Sequence, residues 1–136
     1  MTDNGPPTVE GTVLAFDFGM KHIGVAAGQT ITRTASALTT LAATDGRPNW
    51  AAVRELVNEW RPIRLVVGLP LNMDDTESEM SERARTFAAR LEKETGVAVG
   101  MADERLTSHA VGEHEGDQSH AAAAALIAET WLNAER

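Results

Sequence analysis

The first half of the chain contains short apolar runs separated by turn residues. Val13–Asp17 is apolar up to a terminal acid, and a second apolar run, Ile23–Ala27, follows a short link that contains Gly19. Runs of this length predict buried strands, and the short link predicts an antiparallel hairpin between them. Residues 31–41 are rich in Thr, with partial alternation, and predict a third, more exposed strand.

The second half alternates between helical and strand patterns. Apolar residues recur with helical spacing from Trp50 to Trp60, and Thr76 and Glu79 have the spacing of a capping box. The predicted elements are, in chain order, a helix at 50–60, a strand at 64–70, a helix between Thr76 and Gly96, a strand at 97–102 and a helix over about 119–133. This order predicts an α/β fold with a mixed sheet.

Composition narrows the class of protein. Of the 136 residues 43% are hydrophobic, which is enough for one domain over residues 12–136 after a flexible leader at 1–11. No apolar run approaches the roughly 20 residues that cross a bilayer, and the leader lacks the pattern of a signal peptide. We therefore expect a cytoplasmic protein without a membrane partner. The absence of Cys leaves carboxylates and His as metal ligands, which favours hard cations.

The charge is unevenly distributed. Residues 1–64 contain six basic and six acidic side chains, so the whole net charge of −8 lies in residues 65–136. An acidic chain is a poor general binder of nucleic acid, because Lys and Arg supply most of the non-specific affinity for phosphate. A nucleic-acid function would therefore have to be local and assisted by a metal ion.

Acidic residues at the ends of predicted strands are the main candidates for chemistry. Asp17 ends the first apolar strand, and Glu104 follows the last one. Functional sites of open α/β sheets lie at strand ends, and buried carboxylates that converge usually hold a divalent cation. The alternatives are a turn-forming role for Asp17 and a solvated cluster of ion pairs over Asp103-Glu104-Arg105.

Four ordered segments resemble the YqgF/RuvX family, which is described both as Holliday-junction resolvases and as nucleases that process the 5′ end of pre-16S rRNA. They are Leu14–Gly28, Val66–Thr76, Asp103–Ser108 and the Ala-rich helix that leads into Trp131-Leu132. The resemblance covers about residues 12–133. It implies a ribonuclease-H-like fold, with a mixed five-stranded sheet flanked by helices, and a phosphodiesterase site that uses Mg²⁺ or Mn²⁺. The implied partner is pre-rRNA or branched DNA, and cleavage of a branched junction would favour a homodimer.

The resemblance also implies roles for individual residues. Asp17 matches the acid that bridges the metal ions, and Glu104 matches a second ligand. Lys21, Arg105 and Thr107 are implied contacts to substrate phosphate. Lys21 could equally be a solvated turn residue, and Thr107 could cap the following helix.

The chain departs from the family pattern at the start of its last helix. Family members usually carry Asp at the position of His120. A neutral imidazole at the first helical turn can bind a metal, but it weakens Mg²⁺ relative to Mn²⁺. We expect His120 to point toward Asp17 and Glu104, with both acids on adjacent strands. Asp117 is a substitute ligand or an N-cap, and a His120 that contacts no metal is the other alternative.

Parts of the sequence are also compatible with other functions. The departure at His120 leaves open a catalytically weakened or inactive member that acts as a nucleic-acid or protein binding factor. Asp17-Phe-Gly19 is also similar to the phosphate loop of actin-like ATPases, which need a second domain that the chain is too short to contain. A zinc cluster of His109, His114 and His120 lacks tight ligand spacing. We expect the three Trp residues to belong to the core, which argues against a module that binds nucleic acid by stacking.

Overall fold

A computed structural model describes residues 10–70, 78–103 and 117–134, with side chains from His120 onward in the last range. These ranges contain six strands and three helices. The strands are β1 (Thr12–Asp17), β2 (His22–Gln29), β3 (Thr34–Thr44), β4 (Arg47–Pro48), β5 (Arg64–Leu69) and β6 (Val99–Asp103). The helices are α1 (Trp50–Trp60), α2 (Glu79–Thr95) and α3 (Asp117–Leu132). None of these helices is long and apolar enough to cross a membrane.

The strands form one mixed sheet in the order β4-β3-β2-β1-β5-β6. β1, β5 and β6 are parallel to one another, whereas β2 is antiparallel to both β1 and β3. The predicted mixed sheet and the β1–β2 hairpin are confirmed. The sheet has six strands rather than five because a tight turn at Asp45 and Gly46, both with positive φ, folds two residues back onto the end of β3.

Strand alternation divides the core between the two faces of the sheet. In β1, Leu14 and Phe16 belong to the core shared with α1 and α2, whereas Val13 and Ala15 belong to the core shared with α3. Each side chain of β1 from 13 to 16 is fully buried. This burial on both faces explains why the run is continuously apolar rather than alternating.

The ends of the first two helices are fixed by side chains and backbone geometry. Asn49 caps α1 by accepting hydrogen bonds from the backbone N–H groups of Ala51 and Ala52. The capping box of α2 is formed by Ser78 and Ser81, so the prediction of Thr76 and Glu79 was wrong. The buried Ser81 hydroxyl also donates to the Pro70 carbonyl, which ties the start of α2 to the end of β5.

Helix α3 lies against β2 on a row of small residues. Gly24, Ala26 and Gly28 alternate onto the same face of β2. A Cβ atom at Gly24 would lie 1.9 Å from the carbonyl oxygen of His120, and one at Gly28 would lie 3.0 Å from the Leu132 side chain. The first turn of α3 therefore rests directly on the backbone of β2, and only glycine fits at position 24.

Substitution of Gly24 tests this contact. We expect Gly24→Ala to lower the free energy of unfolding by at least about 3 kcal/mol, because the clash is with backbone and the helix must move away. Gly100→Ala is the control, since its Cβ would lie 3.4 Å from Trp131 Nε1 on the same face of the sheet. Urea unfolding of both variants measures the difference, and equal losses would contradict the proposed contact.

An ion-pair cluster links α1 to α2 at the surface. The Glu94 carboxylate accepts from Arg90 Nε at 2.7 Å and from Arg54 Nη1 at 2.5 Å. The hydrogen bond from Arg90 holds the pKa of Glu94 below its ordinary value of 4.5, and the charges of Arg90 and Arg54 act in the same direction. A carboxyl group with a lowered pKa stabilises the fold above its ordinary pKa, and this contribution disappears as pH falls through the folded pKa.

We therefore expect Glu94→Gln to lower the melting temperature slightly at neutral pH. The difference from the parent protein should shrink as pH falls below 4.5, because protonation removes the same ion pairs. Thermal unfolding across this pH range measures the effect, with Glu92→Gln on the same helix as the control. A difference that does not change with pH would show that the charge of Glu94 does not contribute.

Candidate active site

The parallel strands end at one edge of the sheet, and Asp17 lies at this edge. β1 ends at Asp17, β5 at Leu69 and β6 at Asp103. The expectation that Asp17 and Glu104 follow adjacent strands was wrong for the strands themselves, because β5 lies between β1 and β6. At a strand spacing of about 4.8 Å, roughly 10 Å separates the ends of β1 and β6. Residues that bind one cation from the ends of β1 and β6 must therefore reach across the width of β5.

Asp17 belongs to the face of the sheet that α3 covers. Val13 and Ala15, the alternate residues of β1 that precede it, are in the core shared with α3. Asp17 is half-buried, and its cross-strand partner on β2 is Gly24. On β5, Gly68 follows Val67, the partner of Phe16. Glycine at both neighbouring positions places no side chain beside Asp17 within the sheet.

The first turn of α3 lies next to Asp17. His120 is the fourth residue of the helix, and its backbone carbonyl contacts Gly24, the cross-strand partner of Asp17. The prediction that His120 belongs to the first turn is therefore confirmed. His120 and Asp17 are far apart in the chain. The contact of the His120 backbone with β2 brings His120 to the end of β1.

The imidazole ring of His120 has a defined neighbour. It stacks on the ring of His22, with 4.9 Å between ring centroids and 23° between ring planes. His120 is half-buried, whereas His22 is exposed at the start of β2. The predicted orientation of His120 toward Asp17 and Glu104 stays a prediction. His22 was not among the predicted site residues, although its place two residues before Gly24 puts it on the same face of β2.

Of the other candidate residues, only Lys21 has a side chain within the described part of the structure. Lys21 is exposed in the turn between β1 and β2, where its backbone carbonyl accepts from Ala43 N at 2.8 Å. Asp117 is the first residue of α3, and its side chain lies outside the described part of the structure. The remaining three candidates, Glu104, Arg105 and Thr107, also lie outside the described residues.

A divalent cation fits the donor chemistry at this edge. Asp17 offers carboxylate oxygen, which suits Mg²⁺ and Mn²⁺, and His120 offers imidazole nitrogen, which suits Mn²⁺ better than Mg²⁺. Within residues 10–70, 78–103 and 120–134, no group of three His, Asp or Glu side chains lies close enough to hold an ion. Asp17 and His120 would therefore need a further donor from outside those ranges.

The aromatic residues lie on the opposite face or in the core, as predicted. Trp131, on α3, is buried against the sheet, and Trp60, on α1, is half-buried against the core. Trp50 stacks on Phe87 with 5.6 Å between centroids and borders a cleft of about 780 Å³ between α2 and the β3–β4 turn. This cleft also contains three arginine and three acidic side chains, so its charge is balanced.

The sequence and fold match known proteins. Residues 11–134 match the family model described as "RuvX: Holliday junction resolvase". A relative from Pasteurella multocida named "Putative pre-16S rRNA nuclease" is 60% identical over 97 residues, which cover 71% of this chain and 69% of the relative. A relative of the same name from Yersinia pestis strain Pestoides F is 46% identical over 132 residues, which cover 90% of this chain and 94% of the relative.

Solved structures agree on the fold. Thermus thermophilus RuvC in complex with a Holliday junction substrate superposes with a TM-score of 0.56 at 18% identity, over 88% of this chain and 91% of that chain. A second structure of Thermus thermophilus RuvC gives a TM-score of 0.55 at 16% identity, over 90% and 95% of the two chains. Together with the family match, this similarity establishes that the chain belongs to the RuvX family of nucleases and has its ribonuclease-H-like fold.

Proposed function

We propose that the chain is a divalent-metal-dependent nuclease that cleaves phosphodiester bonds in structured nucleic acid, with the 5′ end of pre-16S rRNA as its favoured substrate. The observation that carries the proposal is the position of Asp17 at the end of parallel strand β1, beside the first turn of α3. The names of the relatives from Pasteurella and Yersinia support the choice of substrate. Resolution of a branched DNA junction, the activity in the family description, is the second substrate class.

Each candidate residue has a role in this proposal. Asp17 and Glu104 hold the cation with their carboxylates, and His120 supplies the third donor, with Asp117 as its substitute. When bound, Mg²⁺ or Mn²⁺ neutralises charge on the phosphate and lowers the pKa of a water molecule. Lys21, on the exposed turn that follows Asp17, attracts a phosphate oxygen of the substrate. Arg105 and Thr107 act in the same way.

Local positive charge at the site explains how an acidic chain binds this substrate. With a net charge of −8, the protein gains little non-specific attraction to nucleic acid. Affinity must then come from the cation and from a few placed donors, which favours recognition of a particular folded region over general binding. We propose that the protein acts in the cytoplasm, where pre-rRNA is processed, and that junction cleavage would require a homodimer with two sites.

A binding factor without catalytic activity is the second candidate. It is favoured by His120 in place of the usual acid. Such a protein would keep Asp17 and bind rRNA or another protein without hydrolysis. The two candidates differ in whether any substrate is cleaved when Mn²⁺ is present.

Replacement of Asp17 tests the nuclease directly. We expect Asp17→Asn to lower cleavage of a 5′-extended 16S precursor in Mn²⁺ by at least about a hundredfold, because the amide loses the charge that holds the cation. Gel assays with this RNA and with a four-way DNA junction measure the loss and compare the two substrate classes. Glu59→Gln, on the exposed surface of α1 at the opposite face of the sheet, is the control. Absence of cleavage by the parent protein on both substrates would favour the binding factor.

Replacement of His120 tests the third donor. We expect His120→Asp to raise Mg²⁺-supported cleavage relative to Mn²⁺-supported cleavage, because carboxylate oxygen suits Mg²⁺ better than imidazole does. His120→Ala should weaken both. Cleavage rates and calorimetric metal affinities measured in each ion check the result. If both variants keep the metal affinity and rates of the parent protein, His120 is not a ligand.

A further inference from the structure

The stacked pair of His22 and His120 joins two parts of the fold that are both held in place. His22 begins β2, and its Cα pairs with Ala42 of β3, so the sheet fixes its backbone. The backbone of His120 is fixed in turn by the contact of its carbonyl with Gly24. The two rings therefore meet between anchored backbones, with 4.9 Å between centroids and 23° between planes.

Stacking is the interaction that orients the His120 ring within the described residues. Histidine ligands usually have their ring orientation set by a hydrogen bond from the second ring nitrogen. No such bond to His120 is present in residues 10–70, 78–103 and 120–134. The last torsion of a histidine side chain is broad when nothing limits it. The flat ring of His22 limits it here, because rotation of His120 would break the face-to-face contact.

The geometry also indicates that His22 is not itself a metal ligand. The lone pairs of imidazole nitrogens lie in the plane of the ring, and the two ring planes are close to parallel. The lone pairs of the two stacked rings therefore lie in separate, nearly parallel planes and do not converge on one cation. His22 is accordingly a neighbour of a ligand rather than a ligand.

We propose that His22 is a positioning residue: its ring holds the imidazole of His120 in the orientation that binds the divalent cation. This inference rests on the proposed role of His120 as a metal ligand. His22 restrains the ring of His120 before the ion binds, so His120 loses less side-chain entropy on binding. Because only a flat ring is needed for this, the nitrogen atoms of His22 are dispensable.

The test measures binding of Mn²⁺ alone by isothermal titration calorimetry, without nucleic acid. We expect His22→Ala to weaken Mn²⁺ binding by roughly three- to tenfold, the cost of immobilising one free side chain. His22→Phe should restore affinity to within about twofold, because its ring can stack in the same place. Gln29→Ala, at the exposed far end of β2, is the control. His22 is exposed, so thermal unfolding should show that each variant keeps its fold.

A double-mutant comparison separates positioning from a general structural effect. In the His120→Asp background, His22→Ala should leave Mn²⁺ affinity unchanged, because the carboxylate no longer stacks. An equal loss in both backgrounds would contradict the positioning role. So would a loss in His22→Phe as large as that in His22→Ala, since it would show that a nitrogen of His22 is required.

The same measurements distinguish this inference from the proposed function. If His120→Ala leaves Mn²⁺ affinity unchanged, the assignment of His120 as a ligand is wrong, and with it the role of His22. If His120→Ala weakens binding while His22→Ala does not, the ligand assignment stands and the positioning role alone is overturned.

Discussion

The approach of α3 to β2 at Gly24 is the contact on which the candidate site depends. A helix normally packs on a sheet through side chains, but here a backbone carbonyl in the first helical turn occupies the space of a missing Cβ. This closeness brings His120 beside the cross-strand partner of Asp17. A larger residue at position 24 would separate the helix from the sheet, and the donors on the two elements would move apart. The packing of α3 on β2 and the distance between the candidate donors therefore both depend on Gly24.

The sheet topology places the end of β1, the end of β6 and the turn that contains Lys21 at the same edge. Parallel β1, β5 and β6 all end there, and the antiparallel β2 begins there, so the turn that contains Lys21 lies beside the end of β1. The opposite face holds α1, α2 and the larger apolar core. Both faces therefore carry an apolar core, and the α3 face also presents polar residues of β1, β2 and α3 at one end.

Charge sets the limits within which such a site can work. A strongly acidic chain repels nucleic acid at long range, and this repulsion is reduced by salt but not reversed. Bound cations change the local sign, because a divalent ion between carboxylates is the largest charge in its neighbourhood. Specific recognition would then depend on the metal site rather than on a basic surface. The balanced cleft beside Trp50 is consistent with this, since it adds no net positive charge.

The sequence by itself determined the elements and the family. Continuous apolar runs predicted the buried strands, and helical spacing predicted the helices. Asn49 begins α1 by capping its backbone N–H groups, and Gly96 ends α2 in the left-handed conformation that glycine adopts readily. Asp17 was identifiable because an acid at the end of a buried strand is costly without a role. The tertiary structure alone decided that β5 separates β1 from β6, that Ser78 caps α2, and that His22 meets His120. The strand order and the stacked pair depend on contacts between residues far apart in the chain, and local patterns of hydrophobicity carry no information about such contacts. The cap at Ser78 is local, but Thr76 with Glu79 and Ser78 with Ser81 have the same spacing, so spacing alone did not distinguish them.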